Sequence, residues 1–315
     1  MTTTQTQTPS PSAQQAPRRH WGHRITERDL AIVDAVARHR FLTTDQIATL
    51  FFPAEGGIVS SQCRTRLRHL VAADYLTSFE RPTLRSEGRK PTLFGLTAQG
   101  RDLLIGELSY GPEDIDWKPS YNAVSWPFLE HQAMLNGIFI TLSQAAPRVG
   151  WTLTEWVDDR VLKKRHTELV PVDDPDGTRR SVAVVPDAYF ALARPDALTD
   201  KHHLLQFFVE ADRATMTVVS TRAQQRSWQK RIRAYQAFFE SDQILKIYGT
   251  KQLRVLTVTT SQRRLESLKA ATEKEGGQNR YWFTTEAALT GEAALEKPIW
   301  FKAGSDRPVS LRQPE

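Results

Sequence analysis

The sequence predicts an α/β protein of two domains, and three observations carry that expectation. Residues 26–104 read as short helices followed by a hairpin. Residues 182–212 hold two Val- and Phe-rich runs of strand length. From Ser227 onward amphipathic helices alternate with short strands. At 315 residues the chain has room for two cores, and it contains no internal repeat.

Charge is distributed unevenly. The chain carries 42 Lys and Arg against 36 Asp and Glu, a net +6, and residues 1–104 alone hold 14 against 9. A basic N-terminal module followed by a near-neutral remainder points to a polyanionic partner for the first part. A lone cysteine, Cys63, excludes a disulfide framework and a zinc site built on cysteines. Residues 1–17 are Thr, Gln, Ser, Pro and Ala, a composition expected of a disordered tail, without the basic start and apolar core of a signal peptide. No apolar run reaches membrane-spanning length, so the expectation is a cytoplasmic protein with no membrane partner.

Residues 18–108 form the predicted first domain. Thr26-Glu27-Arg28-Asp29 is a capping box with Asp in the usual Glu position, and Leu30, Val33, Val36 and Ala37 follow at helical spacing. Phe41-Leu42 breaks the pattern, and Thr43 to Gln46 restarts it as a short helix through Phe51. Ser60 caps a third helix that buries Cys63, Leu67, Leu70 and Val71. Its other faces carry Gln62, Arg64, Thr65, Arg66, Arg68 and His69, and three arginines at alternate positions cannot all face one groove. Tyr75 to Phe79 and Thr92 to Thr97 make a hairpin whose tip holds Arg85, Arg89 and Lys90.

This order is that of a winged helix-turn-helix. The third helix would enter the major groove, where Gln62, Arg64, Thr65 and Arg68 are the candidate base readers. Arg85, Arg89 and Lys90 would lie along phosphates, which position the protein without specifying sequence. Tyr75-Leu76-Thr77 with Phe94-Gly95-Leu96-Thr97-Ala98-Gln99-Gly100 resembles the winged-helix regulators.

Residues 109–125, punctuated by Pro and Gly, read as a linker, and the second domain is expected over 126–303. Pro127 starts a largely apolar helix with Glu130 and His131 near its beginning. Trp151 to Trp156 alternates as a strand; Asp158 to Arg180 reads as a hairpin or loop and carries the basic cluster Lys163 to His166. The next two apolar runs end in carboxylates. Residues two apart on a strand share a face, so Glu210 and Asp212 point the same way, and Asp187 can join them from the neighbouring strand. Three carboxylates at one sheet edge need a cation or donors. In a purely structural alternative Asp187 caps a turn, and Glu210 and Asp212 pair with Lys201, Arg213 or Arg222. Beyond them Ser227 caps a helix with Trp228, Ile232, Tyr235 and Phe239 on one stripe. Leu253 to Thr259 is a strand, Ser261 caps a basic helix, Tyr281 to Phe283 is a strand, and 304–315 reads as a flexible tail.

Two resemblances follow. Helix, strand, Pro186-Asp187, Glu210-x-Asp212 and helix are similar to the PD-(D/E)xK restriction-endonuclease-like core. The whole set more closely resembles the replication-relaxation family of plasmids and other mobile elements: the N-terminal winged helix, Leu129-Glu130-His131, Val185-Pro186-Asp187, Phe207 to Arg213, Lys230 with Tyr235, and Pro298-Ile299-Trp300. The family resemblance implies double-stranded DNA as a partner, with replication or transfer proteins, and leaves a homodimer open. The nuclease resemblance implies Asp187, Glu210 and Lys230 as catalytic candidates, with Mg²⁺ or Mn²⁺ held by Asp187, Glu210 and Glu130. Asp212 stands where that motif has Lys, and Lys230 lies roughly opposite the Trp228/Ile232/Tyr235 stripe. The favoured expectation is therefore a DNA-binding protein with a nuclease-like second domain of doubtful catalytic competence, which cleaves weakly or not at all. A metal-dependent endonuclease, and a transcriptional regulator with a protein-binding second domain, are the alternatives.

Overall fold

The computed structural model describes residues 24–53, 59–81, 90–165, 169–173, 177–194, 204–220, 226–291 and 293–312. The chain divides into two compact units, Met1–Gly137 and Ile138–Glu315. Both helices and a mixed sheet are present, as the α/β expectation requires. No helix among the described residues is long and apolar enough to cross a membrane.

In the first unit α1 (Glu27–His39) begins at the Thr26/Asp29 capping box and buries Ile32, Val33, Ala35 and Val36. Strand β1 (Phe41–Thr43) follows, and Thr43 then caps α2 (Thr44–Phe51) in a reciprocal box with Gln46. Ser60 caps α3 (Ser61–Ala72). Strands β2 (Leu76–Phe79) and β3 (Leu93–Leu96) pair antiparallel, and β1 adds to β3, giving the order β1-β3-β2. The break in helical pattern at Phe41-Leu42 is thus a third strand, buried because both residues pair with β3. Helix α4 (Ala98–Leu108) approaches this sheet closely. A Cβ on Gly100 would lie 2.1 Å from the Tyr75 carbonyl oxygen, so only glycine fits.

The segment 109–125 is tied to this unit. The Tyr110 hydroxyl donates to Asp34 and accepts from Arg38, and Asn122 donates to the Leu96 carbonyl. Helix α5 (Trp126–Arg148) starts here: Leu129 packs with Phe41, Phe79 and Leu93, and Asn136 donates to the His39 and Phe41 carbonyls.

The second unit is built on a seven-stranded sheet. Its strands are β4 (Thr152–Asp158), β7 (Ala188–Ala193), β8 (Leu205–Asp212), β9 (Arg254–Thr259), β10 (Tyr281–Thr285), β11 (Trp300–Lys302) and β12 (Pro308–Val309). The order is β12-β11-β10-β9-β8-β7-β4. Strands β8, β9 and β10 are parallel, and the outer pairs are antiparallel. Between β4 and β7 lie α6 (Asp159–Arg165) and the hairpin of β5 (Val170–Asp173) and β6 (Arg179–Val182). Helices α7 (Trp228–Glu240) and α9 (Gln262–Lys274) connect the parallel strands, with α8 (Gln243–Tyr248) after α7 and α10 (Ala293–Glu296) before β11.

Strands β7 and β8 are buried almost throughout, which is why they read as continuous apolar runs. On one face Phe208 packs with Tyr235, Phe238 and Tyr248; on the other Phe207 and Phe190 stack, with Trp156 beyond. The expected flexible tail is corrected over 304–312. Val309 pairs with Trp300, Arg312 donates its backbone N–H to the Leu295 carbonyl, and Leu311 is fully buried.

Candidate functional site

Strand β8 presents Phe208, Glu210 and Asp212 to the face covered by α7 and α9, as the period of two requires. The two carboxylates meet different helices. Glu210, 3% exposed, is gripped by Arg231 of α7: Nε lies 2.8 Å from Oε1, and a terminal guanidinium nitrogen lies 2.6 Å from Oε2. The Tyr235 hydroxyl, one turn further along α7, also donates to Oε1. The same guanidinium donates to the Val185 carbonyl at 3.2 Å and lies 3.8 Å from Asp187 Oδ1. Asp187 itself sits just before β7, its backbone N–H bonded to the Val209 carbonyl and its Oδ2 accepting from the Ala211 N–H.

Asp212 forms a second, separate pair. Arg264 of α9 donates to both of its oxygens at 2.8 Å, and the Thr259 hydroxyl adds a bond to Oδ2 at 2.8 Å. The expectation of three carboxylates gathered in one site is corrected here. They share a face, but α7 and α9 each bring an arginine and divide them. The partners proposed from sequence were Lys201, Arg213 and Arg222; Lys201 and Arg222 lie outside the described residues, and the guanidiniums found on the carboxylates are Arg231 and Arg264.

Burial is the largest influence on Glu210 and pushes its carboxyl up, to about 8. Arg231 and the Tyr235 bond oppose the rise, and Asp187 adds to it. Burial also works against the charge on Arg231, but Glu210, Tyr235 and Asp187 together hold its guanidinium above the ordinary range. The two shifts pull the pair in opposite senses. The rise of Glu210 is the one its near-complete burial supports, and Arg231 stays charged whichever state Glu210 adopts.

These residues do not fit a divalent cation. The place between Asp187 and Glu210 where one would sit is filled by the Arg231 guanidinium, which takes up both Glu210 oxygens. Among the described residues no group of three or more His, Cys, Asp or Glu side chains is placed to hold a metal ion. Glu130 belongs to the first unit, where it pairs with Arg81. Lys230 does line the Asp187 cavity: a space of about 560 Å³ is walled by Asp187, Lys163, Arg180, Arg226, Lys230 and Arg231 over a floor of valines and Tyr235. Its phase on α7 is therefore no bar to the site, but the carboxylates there are already paired.

The candidate DNA surface lies on α3. Gln62, Arg64 and Arg68 are exposed, and Thr65 is half-buried and accepts from Arg68. Arg66 is the arginine that leaves the row, turning inward to the fully buried Asp29 of α1. Burial pushes the Cys63 thiol up to about 11, in keeping with a small core residue. Lys90 is exposed at the foot of β3; Arg85 and Arg89 lie outside the described residues.

Sequence reasoning missed Arg231. Its signal was available: Arg231 and Tyr235 are four apart on one helix, so both can reach a single buried acceptor. Compared with known proteins, residues 33–253 match the replication-relaxation family, which takes in α3, the hairpin, Asp187, Glu210 and Arg231. No curated protein and no solved structure matches the chain.

Proposed function

The chain belongs to the replication-relaxation family, and on that premise we propose that it binds double-stranded DNA in the replication, relaxation or transfer of a plasmid or other mobile element. The reading divides the work between the units. The first is a winged helix-turn-helix, with α3 as the groove-facing helix and the β2–β3 hairpin as the wing. The second is a nuclease-like core whose carboxylates serve structure.

One observation carries the DNA reading: α3 buries Cys63, Leu67 and Leu70 while it leaves Gln62, Arg64 and Arg68 at the surface. Buried salt bridging to Asp29 fixes the helix, so the exposed side chains are presented from a rigid support. Gln and Arg are the residues that read adenine and guanine edges. The loss of Arg66 to the interior reduces the arginine row to two members separated by one turn, which can both face one groove. The non-cleaving reading of the second unit is supported by Arg231, whose guanidinium lies between the two carboxylates, Asp187 and Glu210, that would hold the metal in that reading.

Fluorescence anisotropy of the full chain on labelled duplexes tests the proposal. Affinity should fall steeply as salt rises, because phosphate contacts release counterions. Arg64→Ala and Arg68→Ala should each weaken a selected site by about 1–3 kcal/mol more than random duplex. Lys90→Ala should weaken both alike. Salt-independent binding, or no binding to any duplex, would sink the reading.

A further inference from the structure

A second cavity, also about 560 Å³, lies in the same unit at the start of the parallel strands β9 and β10, away from Glu210. Register locates it: Arg254, the first residue of β9, pairs with Phe207, three positions before Glu210 on β8. Its walls are the beginning of β9, the turn 276–280 leading into β10, and the C-terminal end of α7.

Two half-buried guanidiniums face each other's field there. Arg254 lies over the Trp282 ring at 5.5 Å, and Arg280 lies over the Phe239 ring at 4.3 Å. Arg280 is fixed by bonds to the Lys251 and Leu253 carbonyls at 2.7 and 2.8 Å. Among the described residues neither arginine is bonded to a carboxylate. Glu240 is the acid among the lining residues, and it is exposed, while Lys251 adds a third positive charge. Burial pulls both guanidiniums below their usual value, and Arg280 pulls Arg254 further. Tyr281 also lines the cavity, and its buried hydroxyl has no hydrogen-bond partner among the described residues.

Partly desolvated like charges without a counter-ion are costly, and a bound anion removes the cost. Guanidinium matches phosphate in planar, two-point geometry, and the fixed Arg280 needs little ordering on binding. The volume is that of a small-molecule site with aromatic walls. We propose that this cavity binds a phosphate group, carried by a nucleotide or by a nucleic-acid strand, between Arg254 and Arg280. The proposal uses none of the residues of the DNA reading above, and either can fail without the other.

Thermal unfolding of the full chain tests it, followed by tryptophan fluorescence. The probes are inorganic phosphate, deoxyadenosine 5′-monophosphate and a single-stranded oligonucleotide, each compared with sodium chloride at equal ionic strength. At saturation the best probe should raise the melting temperature by about 5 °C or more, since a ligand of the native state stabilises it by mass action. A rise with the mononucleotide assigns the site to free nucleotide, and a rise with the oligonucleotide alone assigns it to a strand. Arg254→Gln should abolish the rise. Its own melting temperature in chloride should stay within about 2 °C of the parent, because relief of the Arg280 repulsion offsets the lost contact with Trp282. A purely structural Arg254 would instead lower it. Arg254→Lys, which keeps the charge and loses the fork, provides the second variant, with affinity weakened by about tenfold in calorimetric titration. No rise above chloride with any probe, a rise that persists in Arg254→Gln, or unchanged affinity in Arg254→Lys would overturn the assignment.

Discussion

Replacing Arg231 by Met isolates the Glu210 pair, and its cost should depend on pH in a specific way. The carboxyl of Glu210 is raised from 4.5 to about 8. Between those values the native state binds a proton that the unfolded chain has released, so stability falls as pH rises through pH 4.5–8. Below pH 8 Glu210 is mostly protonated in the parent and fully so in the variant. The variant then loses charged-donor bonds to Glu210 and the bond to the Val185 carbonyl, about 2–3 kcal/mol. This range sits below the figure for breaking a fully buried ion pair because Arg231 keeps 26% of its side chain in solvent. Above pH 8 the parent ionises Glu210 against Arg231, but the variant cannot, and the cost should grow by about 1.4 kcal/mol per pH unit. Urea denaturation of both proteins at pH 6 and pH 9 measures this. Measured against Glu210→Gln alone, the double variant Arg231→Met/Glu210→Gln should show a cost that is equal at both pH values, since Gln does not titrate. A cost below about 1 kcal/mol at pH 6, or one equal at both pH values, would refute the assignment of Arg231 as the internal counter-ion.

Asp29→Asn leaves Arg66 without its buried partner and should cost about 3 kcal/mol, read from the urea midpoint of the first unit; a loss under about 1 kcal/mol would mean the pair does not hold α3 to α1. Arg264→Gln exposes Asp212 to the same fate, at about 2–3 kcal/mol, and Asp212→Asn in that background should recover part of it. Mg²⁺ or Mn²⁺ at millimolar levels should leave the melting temperature within about 1 °C of its metal-free value, since Arg231 fills the cation's place; a rise abolished by Asp187→Asn would reinstate the metal site. Supercoiled plasmid incubated with the chain and Mn²⁺ should stay intact, and nicking lost in both Glu210→Gln and Lys230→Ala would establish an endonuclease.

What the sequence made legible was what short-range chemistry decides. Thr26, Thr43, Ser60, Ser227 and Ser261 cap helices because a side-chain oxygen meets an N–H two or three residues on, a relation contained in the local sequence. The face shared by Glu210 and Asp212 was likewise readable, being fixed by strand period. Strand β1 was not, because three residues have no period of their own and Phe41-Leu42 becomes a strand only by pairing with β3. Nor was the tail, whose Leu311 has a buried position only once β11 supplies a partner for β12.

The site shows the same limit more sharply. Strand spacing says which carboxylates share a face, but the helix that crosses that face decides what they meet. Arg231 and Arg264 lie 21 and 52 residues from their acids, each on a different helix. A search near the strand for counter-ions therefore turns to Arg213 and Arg222 and passes over both. A helix that buries Trp228, Ile232 and Tyr235 against β8 must carry its neighbouring position, 231, to the edge of the contact, where a long side chain can reach inward while its stem covers apolar surface. Arg231 thus answers the demand that a buried Glu210 makes of its surroundings. Its guanidinium lies between Glu210 of β8 and Asp187 just before β7, so one side chain of α7 fastens that helix to two neighbouring strands of the sheet.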